Sequence, residues 1–546
     1  MSEPVLSVKN LVVEFPSRNA VFRAVDGVSF EIMPGEILGV VGESGAGKSM
    51  TGSAVIGLID RPGHIAGGEI RLQGERIDDL PEEIKAKLRG KRIGMVFQDP
   101  LTSLNPLYTI GRQLVETIRT HLPLSEEQAR RRAIDLLAEA GIPKAAERID
   151  SYPHQFSGGM RQRVVIALAL AGEPELVIAD EPTSALDVSV QAQIIKVLKK
   201  LCASRGAAVM LITHDMGVIA QTADRMVVMH RGKIVETGTV ADIIRRPREP
   251  YTIKLIDSIP TILRKPGEAF PPAVAANDDS AFVRIKGLVR DFEFAMAPFA
   301  RLRGKTETFR AVDDVSFSIP KGKTFGLVGE SGSGKSTCAK MIVGLLPPTA
   351  GQIFVDGHDV WAGALGRRQR RRSVQMIFQD PYASLNPRWR VKDIIAEPIR
   401  ALGLSRNRGE IEARVAELLE KVRLDPAAMR KFPHEFSGGQ RQRIAIARTL
   451  SSQPEFIVCD EPTSALDVSV QAQVLDLMSA LQEEFGLTYL LISHNLAVVR
   501  QMSSNVGVLH NGVLVENGPV DEIFENPRAD YTRKLLDAVP DISKVA

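Results

Sequence analysis

Apolar residues in this chain gather in short unbroken runs set between turn-forming segments, and the runs come in pairs. Residues 37–41 and 324–328, 176–179 and 456–459, and 209–213 and 489–493 each read as a strand buried on both faces of a parallel sheet. Residues 91–97 and 373–378 read as further strands. Ahead of these, residues 5–15 and 24–32, and again 282–292 and 311–319, are predicted as strands that open each half. After Gln98 and after Gln379 the pattern turns helical, as at 125–140 and 409–422, over a length sufficient for a separate helical subdomain.

The pairing is a repeat. DEPTSALDVSVQAQ occupies residues 180–193 and returns unchanged at 460–473. Ser157 and Ser437, Glu181 and Glu461, His214 and His494, and Tyr251 and Tyr531 are all 280 positions apart. Gly42 and Gly329 are 287 apart, so the first half carries extra residues before Ser157, as surface loops tolerate. Two homologous domains are expected, at 1–262 and 281–546. Between them, residues 263–280 are rich in Pro and Ala and lack periodicity, which reads as a linker with some polyproline stiffness.

Composition places the chain among soluble globular proteins, with 44% hydrophobic and 25% charged residues. A net charge of only +3 over 546 residues argues against nucleic acid as the main partner. The basic tract RRQRRR at 367–372 reads as a solvated face, with contact to acidic lipid, protein or nucleic acid as the alternative. No apolar run reaches the ~18 residues of a membrane span, and the opening MSEPVLSVKN lacks a signal peptide's basic and apolar regions, so a cytoplasmic location is expected. Cys202, Cys338 and Cys459 have no pairing or metal-ligand spacing; Cys459, inside an apolar run, reads as core.

The chemistry lies where the predicted parallel strands end, the edge at which open α/β sheets place ligands. After the first buried strand comes GESGAGKS (Gly42, Glu43, Ser44, Gly45, Ala46, Gly47, Lys48, Ser49), and in the second half GESGSGKS (Gly329, Glu330, Ser331, Gly332, Ser333, Gly334, Lys335, Ser336). The glycines let backbone N–H groups close around phosphate oxygens, the lysine adds a positive charge and the final Ser hydroxyl can hold Mg²⁺. Gln98 and Gln379, each beyond a strand and before Asp-Pro, are given a ligand role at the metal. FSGGMRQR places Ser157, Gly158 and Gly159, and FSGGQRQR places Ser437, Gly438 and Gly439, at a helix start whose amides and dipole attract an anion. Asp180 and Asp460 are candidates to hold Mg²⁺ through its waters. Glu181 and Glu461 are the candidates to orient or deprotonate an attacking water. Of nine histidines, His214 and His494 alone are read as ending a buried strand run at this edge; His154 and His434 are assigned to structure. Phe15 or Phe22, and Phe292 or Phe309, are candidates to stack on a nucleobase.

Phosphate loop, Gln loop, SGG[MQ]RQR signature, DEPTSALD and a following His, in that order and twice, resemble the ATP-binding cassette (ABC) ATPases along nearly the whole chain. The flanking DP-x-x-SLNP, YPHQFSGG and FPHEFSGG, VSVQAQ, and YTIKL and YTRKL are similar to the oligopeptide, dipeptide and nickel importer branch, in particular to fused pairs such as glutathione and microcin-type peptide importer ATPases. The resemblance implies an α/β protein of two tandem P-loop ATPase domains, each with a mainly parallel sheet core, an antiparallel β subdomain and a helical subdomain. It implies ATP and Mg²⁺ as cofactors and catalytic roles for Glu181, Glu461, His214 and His494. The halves are expected to pack head to tail, with 42–49 opposite 437–440 and 329–336 opposite 157–160. Two hydrolysing sites are then expected, with modest asymmetry from Met160 against Gln440 and Asp215 against Asn495. ATP-driven closure would energise an importer for peptides or related small solutes. The implied partners are two integral membrane permease subunits and an extracytoplasmic solute-binding protein, with the chain peripheral on the cytoplasmic face of the inner membrane. No iron–sulfur cluster is expected, since the cysteine-rich segment of many branch members is missing. The alternative is a soluble two-cassette ATPase acting on ribosomes or nucleic acid.

Overall fold

A computed structural model of the chain describes residues 3–17, 20–183, 186–262, 281–293, 308–363, 371–464, 466–540 and 542. The expected linker at 263–280 and most of the basic tract, 367–370, lie outside the described residues. The chain divides into two compact units, the first made of Met1–Ile259 with the short stretches Asp467–Ser469 and Pro540–Ala546, the second of Pro260–Leu466 and Val470–Val539.

In the first unit a six-stranded sheet runs in the order Lys233–Thr239, Arg225–His230, Ile37–Val41, Ala208–Ile212, Leu176–Asp180, Ile93–Val96. All neighbours pair in parallel except Lys233–Thr239, which closes one edge as an antiparallel hairpin. The unbroken apolar runs have their expected cause, because both faces of this sheet are covered. Leu38, Val40, Ile178, Met210 and Ile212 face one way, into a core shared with Val8, Leu11, Val13 and Ile70. Ile37, Val41, Val177, Ala179, Val209 and Leu211 face the other way, into a core shared with Ile166, Ile194 and Leu198 of the helices.

The first of these cores is roofed by a four-stranded antiparallel sheet in the order Val21–Ile32, Leu6–Pro16, His64–Leu72, Glu75–Arg76. The strand His64–Leu72 is not among the strands read from the sequence. Its HIAGGEIRL leaves only Ile70 and Leu72 fully buried, so half of it carries no hydrophobic signal. The helical region is built from Ile110–His121 and Glu126–Glu139. The second of these starts where Ser125 accepts from the Gln128 N–H and the Gln128 side chain accepts from the Ser125 N–H, a reciprocal cap that fixes the helix start.

The second unit repeats this architecture. Its six-stranded sheet runs Val374–Ile377, Phe456–Asp460, Thr488–Ile492, Thr324–Val328, Asn505–His510, Val513–Pro519, with the last strand antiparallel. Its antiparallel sheet runs Thr308–Ile319, Val283–Glu293, Ala350–Val355, His358–Asp359. The helices Val391–Ala401 and Arg408–Lys421 form its helical region. Cys202, Cys338 and Cys459 are all buried and unpaired, and burial pushes the Cys202 and Cys338 thiols up to about 12, so they act as core.

Candidate active site at the carboxyl edge of the parallel sheets

Each phosphate loop leaves a central strand and opens a helix, Lys48–Ile56 in the first unit and Lys335–Ile342 in the second. The glycines at the loop entrance are required by space. Gly42 and Gly329 have φ of 149°, and a Cβ there would lie 2.2 Å from the Met229 carbonyl oxygen and 2.1 Å from that of Leu509. The loop is pressed against the neighbouring strand, and only backbone fits between them. Lys48 Nζ donates to the Gly42 and Glu43 carbonyls, each over 2.8 Å; Lys335 Nζ does the same to Gly329 over 2.7 Å and to Glu330 over 2.8 Å. Burial lowers the Lys48 pKa against the opposing pull of the Glu181 carboxylate. An ammonium held this way gains when a polyanion enters.

Around each lysine the acidic strand end assembles the remaining predicted residues. Ser49 Oγ donates to Asp180 Oδ1 over 2.9 Å, and Ser336 Oγ to Asp460 Oδ1 over 3.2 Å. Gln98 Nε2 donates to Glu181 Oε2 over 2.9 Å, and Gln379 Nε2 to Glu461 Oε2 over 2.8 Å. His214 Nδ1 lies 3.1 Å from Glu181 Oε1, and His494 Nδ1 lies 3.1 Å from Glu461 Oε2. Four sequence-distant motifs therefore meet within each unit. Burial raises both Asp180 and Asp460 above the usual carboxyl range, against the Ser hydroxyl bonds that pull them down. For His214 burial opposes charging, but the hydrogen bond and charge of Glu181 outweigh it and raise its pKa. For Glu461 burial opposes ionisation, and the His494 contact outweighs it and holds the carboxyl low.

Glu181 and Glu461 are also unusual in backbone conformation, with φ of 47° and 48°. A non-glycine residue in the left-handed region carries strain, and such strain concentrates where a side chain must be aimed. Here it turns each carboxylate from the strand end toward the glutamine and the histidine.

The signature segments form helix starts as expected, Gly158–Ala169 and Gly438–Leu450. Ser157 Oγ accepts from the Met160 N–H and Ser437 Oγ from the Gln440 N–H, each over 3.4 Å. Gly159 and Gly439 are close-packing positions, since a Cβ would lie 2.4 Å from Val190 Cγ1 and 2.2 Å from Val470 Cγ1.

Against known proteins, the ABC transporter family model matches residues 25–184 and again 312–464. The chain belongs to the ABC transporter family. It carries two cassettes and is an ATP hydrolase. A second model, the C-terminal region of oligopeptide/dipeptide transporters, matches 235–279 and 515–546, once behind each cassette. Relatives similar along the chain include an oligopeptide transport ATP-binding protein of Mycobacterium tuberculosis, 42% identical over 98% of both chains. A peptidoglycan transport ATP-binding protein of Agrobacterium fabrum is 44% identical over 100% of this chain and 98% of its own. A glutathione import ATP-binding protein of Escherichia coli O157:H7 is 44% identical over 98% of this chain and 89% of its own. These matches do not favour the alternative of a ribosome- or nucleic-acid-directed ATPase.

Within the cassettes, one sequence expectation needs correcting. His214 and His494 are not alone in ending buried strands at the ligand edge. His230 and His510 end Arg225–His230 and Asn505–His510, which lie parallel to the strands that feed the phosphate loops. Each stacks on a tyrosine, His230 on Tyr251 with centroids 4.0 Å apart and His510 on Tyr531 at 3.9 Å. The tyrosines reach further. The Glu43 N–H donates to Tyr251 Oη over 3.0 Å, and the Glu330 N–H to Tyr531 Oη over 3.2 Å. The available signal was that both Tyr251/Tyr531 and His230/His510 recur at the repeat offset. His154 and His434 sit in short 3₁₀ turns, Pro153–Gln155 and Pro433–Glu435, stacked on Tyr152 and Phe432. Among the aromatics offered for a nucleobase, Phe15 packs on the core, whereas Phe22 is 65% and Phe309 51% exposed.

The two cassettes differ beside their chemistry. Gln440 completes a reciprocal cap by accepting from the Ser437 N–H over 3.0 Å, while the Met160 sulfur instead meets Arg148 Nη1 at 3.0 Å. Asp215 and Asn495 both cap the next helix, but Asp215 also accepts from Gln191 Nε2 over 2.7 Å, whereas Gln471 Nε2 turns to Thr463.

Proposed function

We propose that this chain is the energising subunit of an importer for peptides or related small solutes. It would work with two integral membrane permeases and an extracytoplasmic solute-binding protein, as a peripheral protein on the cytoplasmic face of the inner membrane. The observation that carries this reading is the oligopeptide/dipeptide transporter C-terminal match behind both cassettes, joined to the names of relatives similar over the full length. Among the described residues no helix is long and apolar enough to cross a membrane; in this reading the permeases supply the translocation path. The domains proposed are 1–262 and 281–546.

In each cassette the phosphate loop and its lysine hold the β- and γ-phosphates, and Phe22 or Phe309 offers the face for the base. The donor set beside them is a serine hydroxyl, a glutamine amide and an aspartate, hard oxygen ligands of the kind Mg²⁺ accepts, and the burial-raised aspartates fit a site that receives a cation. Ser49, Asp180 and Gln98, and Ser336, Asp460 and Gln379, would hold the ion, which when bound neutralises phosphate charge. Among the described residues no group of three or more His, Cys, Asp or Glu could hold a metal ion. Glu181 and Glu461 orient the attacking water, and His214 and His494, each 3.1 Å from its glutamate, hold that carboxylate in place.

ATP binding is proposed to close the two cassettes, and ADP to leave them open. Charge-assisted bonds contribute roughly 1.5–3 kcal/mol each. Two or three per site then reach the ~5.5 kcal/mol that carries a two-state equilibrium from 1:99 to 99:1. The test is purification of the tagged full chain from detergent-solubilised membranes. Two integral membrane subunits are expected to accompany it, and the complex should take up a peptide or glutathione into proteoliposomes in an ATP-dependent way. Recovery with ribosomes or DNA instead would reverse the reading.

A further inference from the structure

The C-terminal segment of each cassette ends beside the phosphate loop. Tyr251 is the second residue of the helix Pro250–Asp257, and Tyr531 the second residue of Asp530–Asp537. Each helix start is tied down from the antiparallel edge strand. Glu236 accepts from the N–H groups of Arg248 and Glu249 over 2.9 and 3.3 Å, and Glu516 from those of Arg528 and Ala529 over 2.7 and 3.2 Å. Thr252 and Leu255, and Thr532 and Leu535, bury the inner face of each helix. The tyrosine ring then lies flat on a histidine at the end of the strand against which Gly42 or Gly329 is pressed. Its hydroxyl takes the N–H of Glu43 or Glu330.

That amide belongs to the peptide unit between the first and second loop residues. The carbonyls on either side of the second residue, Gly42 and Glu43 or Gly329 and Glu330, are the ones that hold the lysine ammonium. The tyrosine therefore fixes the plane of a peptide whose oxygen aims the phosphate-binding lysine. The same set of anchor glutamate, tyrosine, shelf histidine and loop amide occurs in both cassettes, built from separate stretches of chain, which argues against a chance contact.

We infer that Tyr251 and Tyr531 are positioning residues for nucleotide binding, by which the transporter-type C-terminal segment holds the phosphate loop in its binding shape. The inference rests on the phosphate loop being the seat of the nucleotide. A loop that is already shaped loses less freedom on binding, so removal of the hydroxyl acts on affinity and leaves the chemical step alone.

The test is Tyr251→Phe with Tyr531→Phe in the full chain, which keeps the ring on its histidine and deletes one oxygen per site. Titration with ATP and with ADP, steady-state hydrolysis and thermal melting of the nucleotide-free protein are measured together. Loss of one neutral hydrogen bond per loop predicts a roughly three- to tenfold weaker Kd and a matching rise in KM. kcat should stay within about twofold and the melting temperature within about 2 °C. An unchanged Kd overturns the inference, as does a fall in kcat as large as the rise in KM. Lys48→Ala with Lys335→Ala separates the two readings: if that variant also binds nucleotide normally, the seat itself is wrong, and if only the Phe variant does, the tyrosine role alone falls.

Discussion

Replacing Glu181 and Glu461 together by Gln isolates the proposed water-orienting step, because the change is isosteric. Each carboxylate accepts from a glutamine and a histidine, Gln98 and His214 in one cassette and Gln379 and His494 in the other, at 2.8–3.1 Å. A glutamine can present its oxygen to only one of them and must turn its NH₂ toward the other. The cost is one hydrogen bond per site, about 1 kcal/mol, with no cavity and no change in the lysine, the phosphate loop or Asp180. ATP should still bind. A positioned general base contributes about 10²- to 10⁴-fold, or roughly 3–5.5 kcal/mol of barrier. Steady-state phosphate release should therefore fall to about 1% or less. The assay follows phosphate release and, in parallel, the nucleotide retained after rapid gel filtration, where the variant should carry ATP rather than ADP. Release at the wild-type rate would refute the reasoning, since the one group changed would then not act on the water.

Gly159→Ala should destabilise the first cassette by about 1–3 kcal/mol in denaturant unfolding, because the new methyl would lie 2.4 Å from Val190 Cγ1; adding Val190→Ala should recover most of the loss, and failure to recover would place the cost elsewhere. Met160→Gln should import the reciprocal cap of the second cassette and raise stability by about 0.3–1 kcal/mol, read as a small upward shift of the melting temperature; a downward shift would contradict the capping account. Glu236 carries a pH prediction. Burial opposes its ionisation, yet the bonds it accepts from the Arg248 and Glu249 amides help hold its carboxyl below the usual value. A depressed carboxyl stabilises the fold above its unfolded pKa of about 4.3, and that contribution drains away as pH falls through the lower folded value. The melting-temperature gap between wild type and Glu236→Gln should be full at neutral pH and shrink below about pH 4; a gap that widens on acidification would give the sign the other way.

Much of the site was legible because each working residue stands beside an unmistakable neighbour. The phosphate loop announces Lys48, the duplicated DEPTSALD announces Asp180 and Glu181, and each lies at the end of a run whose unbroken hydrophobicity marks a central strand. Predicted and observed bounds coincide at Ile37–Val41 and Thr324–Val328, where both faces are covered. Legibility fails where only one face, or half a strand, is covered, as in His64–Leu72. It fails again where the link is long. Tyr251 and Glu43 are 208 residues apart, and no local period joins them. The repeat offset had already paired Tyr251 with Tyr531, but pairing says that a residue recurs and not what it touches. The same holds for His230 and His510, whose strands have apolar cores but whose closeness to the loop depends on sheet order.

Sheet order also bears on whether the two cassettes do equal work. Every group proposed to touch phosphate, metal or water is matched between them: lysine, serine, aspartate, glutamate, glutamine and histidine occupy equivalent positions at distances that agree within 0.3 Å. The differences lie one step away. Ser333, where the first loop has Ala46, adds a 3.5 Å contact to Lys335 Nζ; Gln440 adds a cap that Met160 lacks; Asn495 replaces Asp215 without losing the helix cap. Supports of this kind are worth tenths of a kcal/mol to about 1 kcal/mol each, hence severalfold in rate at most, whereas a missing base costs two to four orders of magnitude. Cassettes that differ only in these supports should both turn over. Single-turnover hydrolysis resolved by site should then give two rates within about one order of magnitude, and a silent cassette would mean that a neighbour such as Met160 governs far more than a helix start.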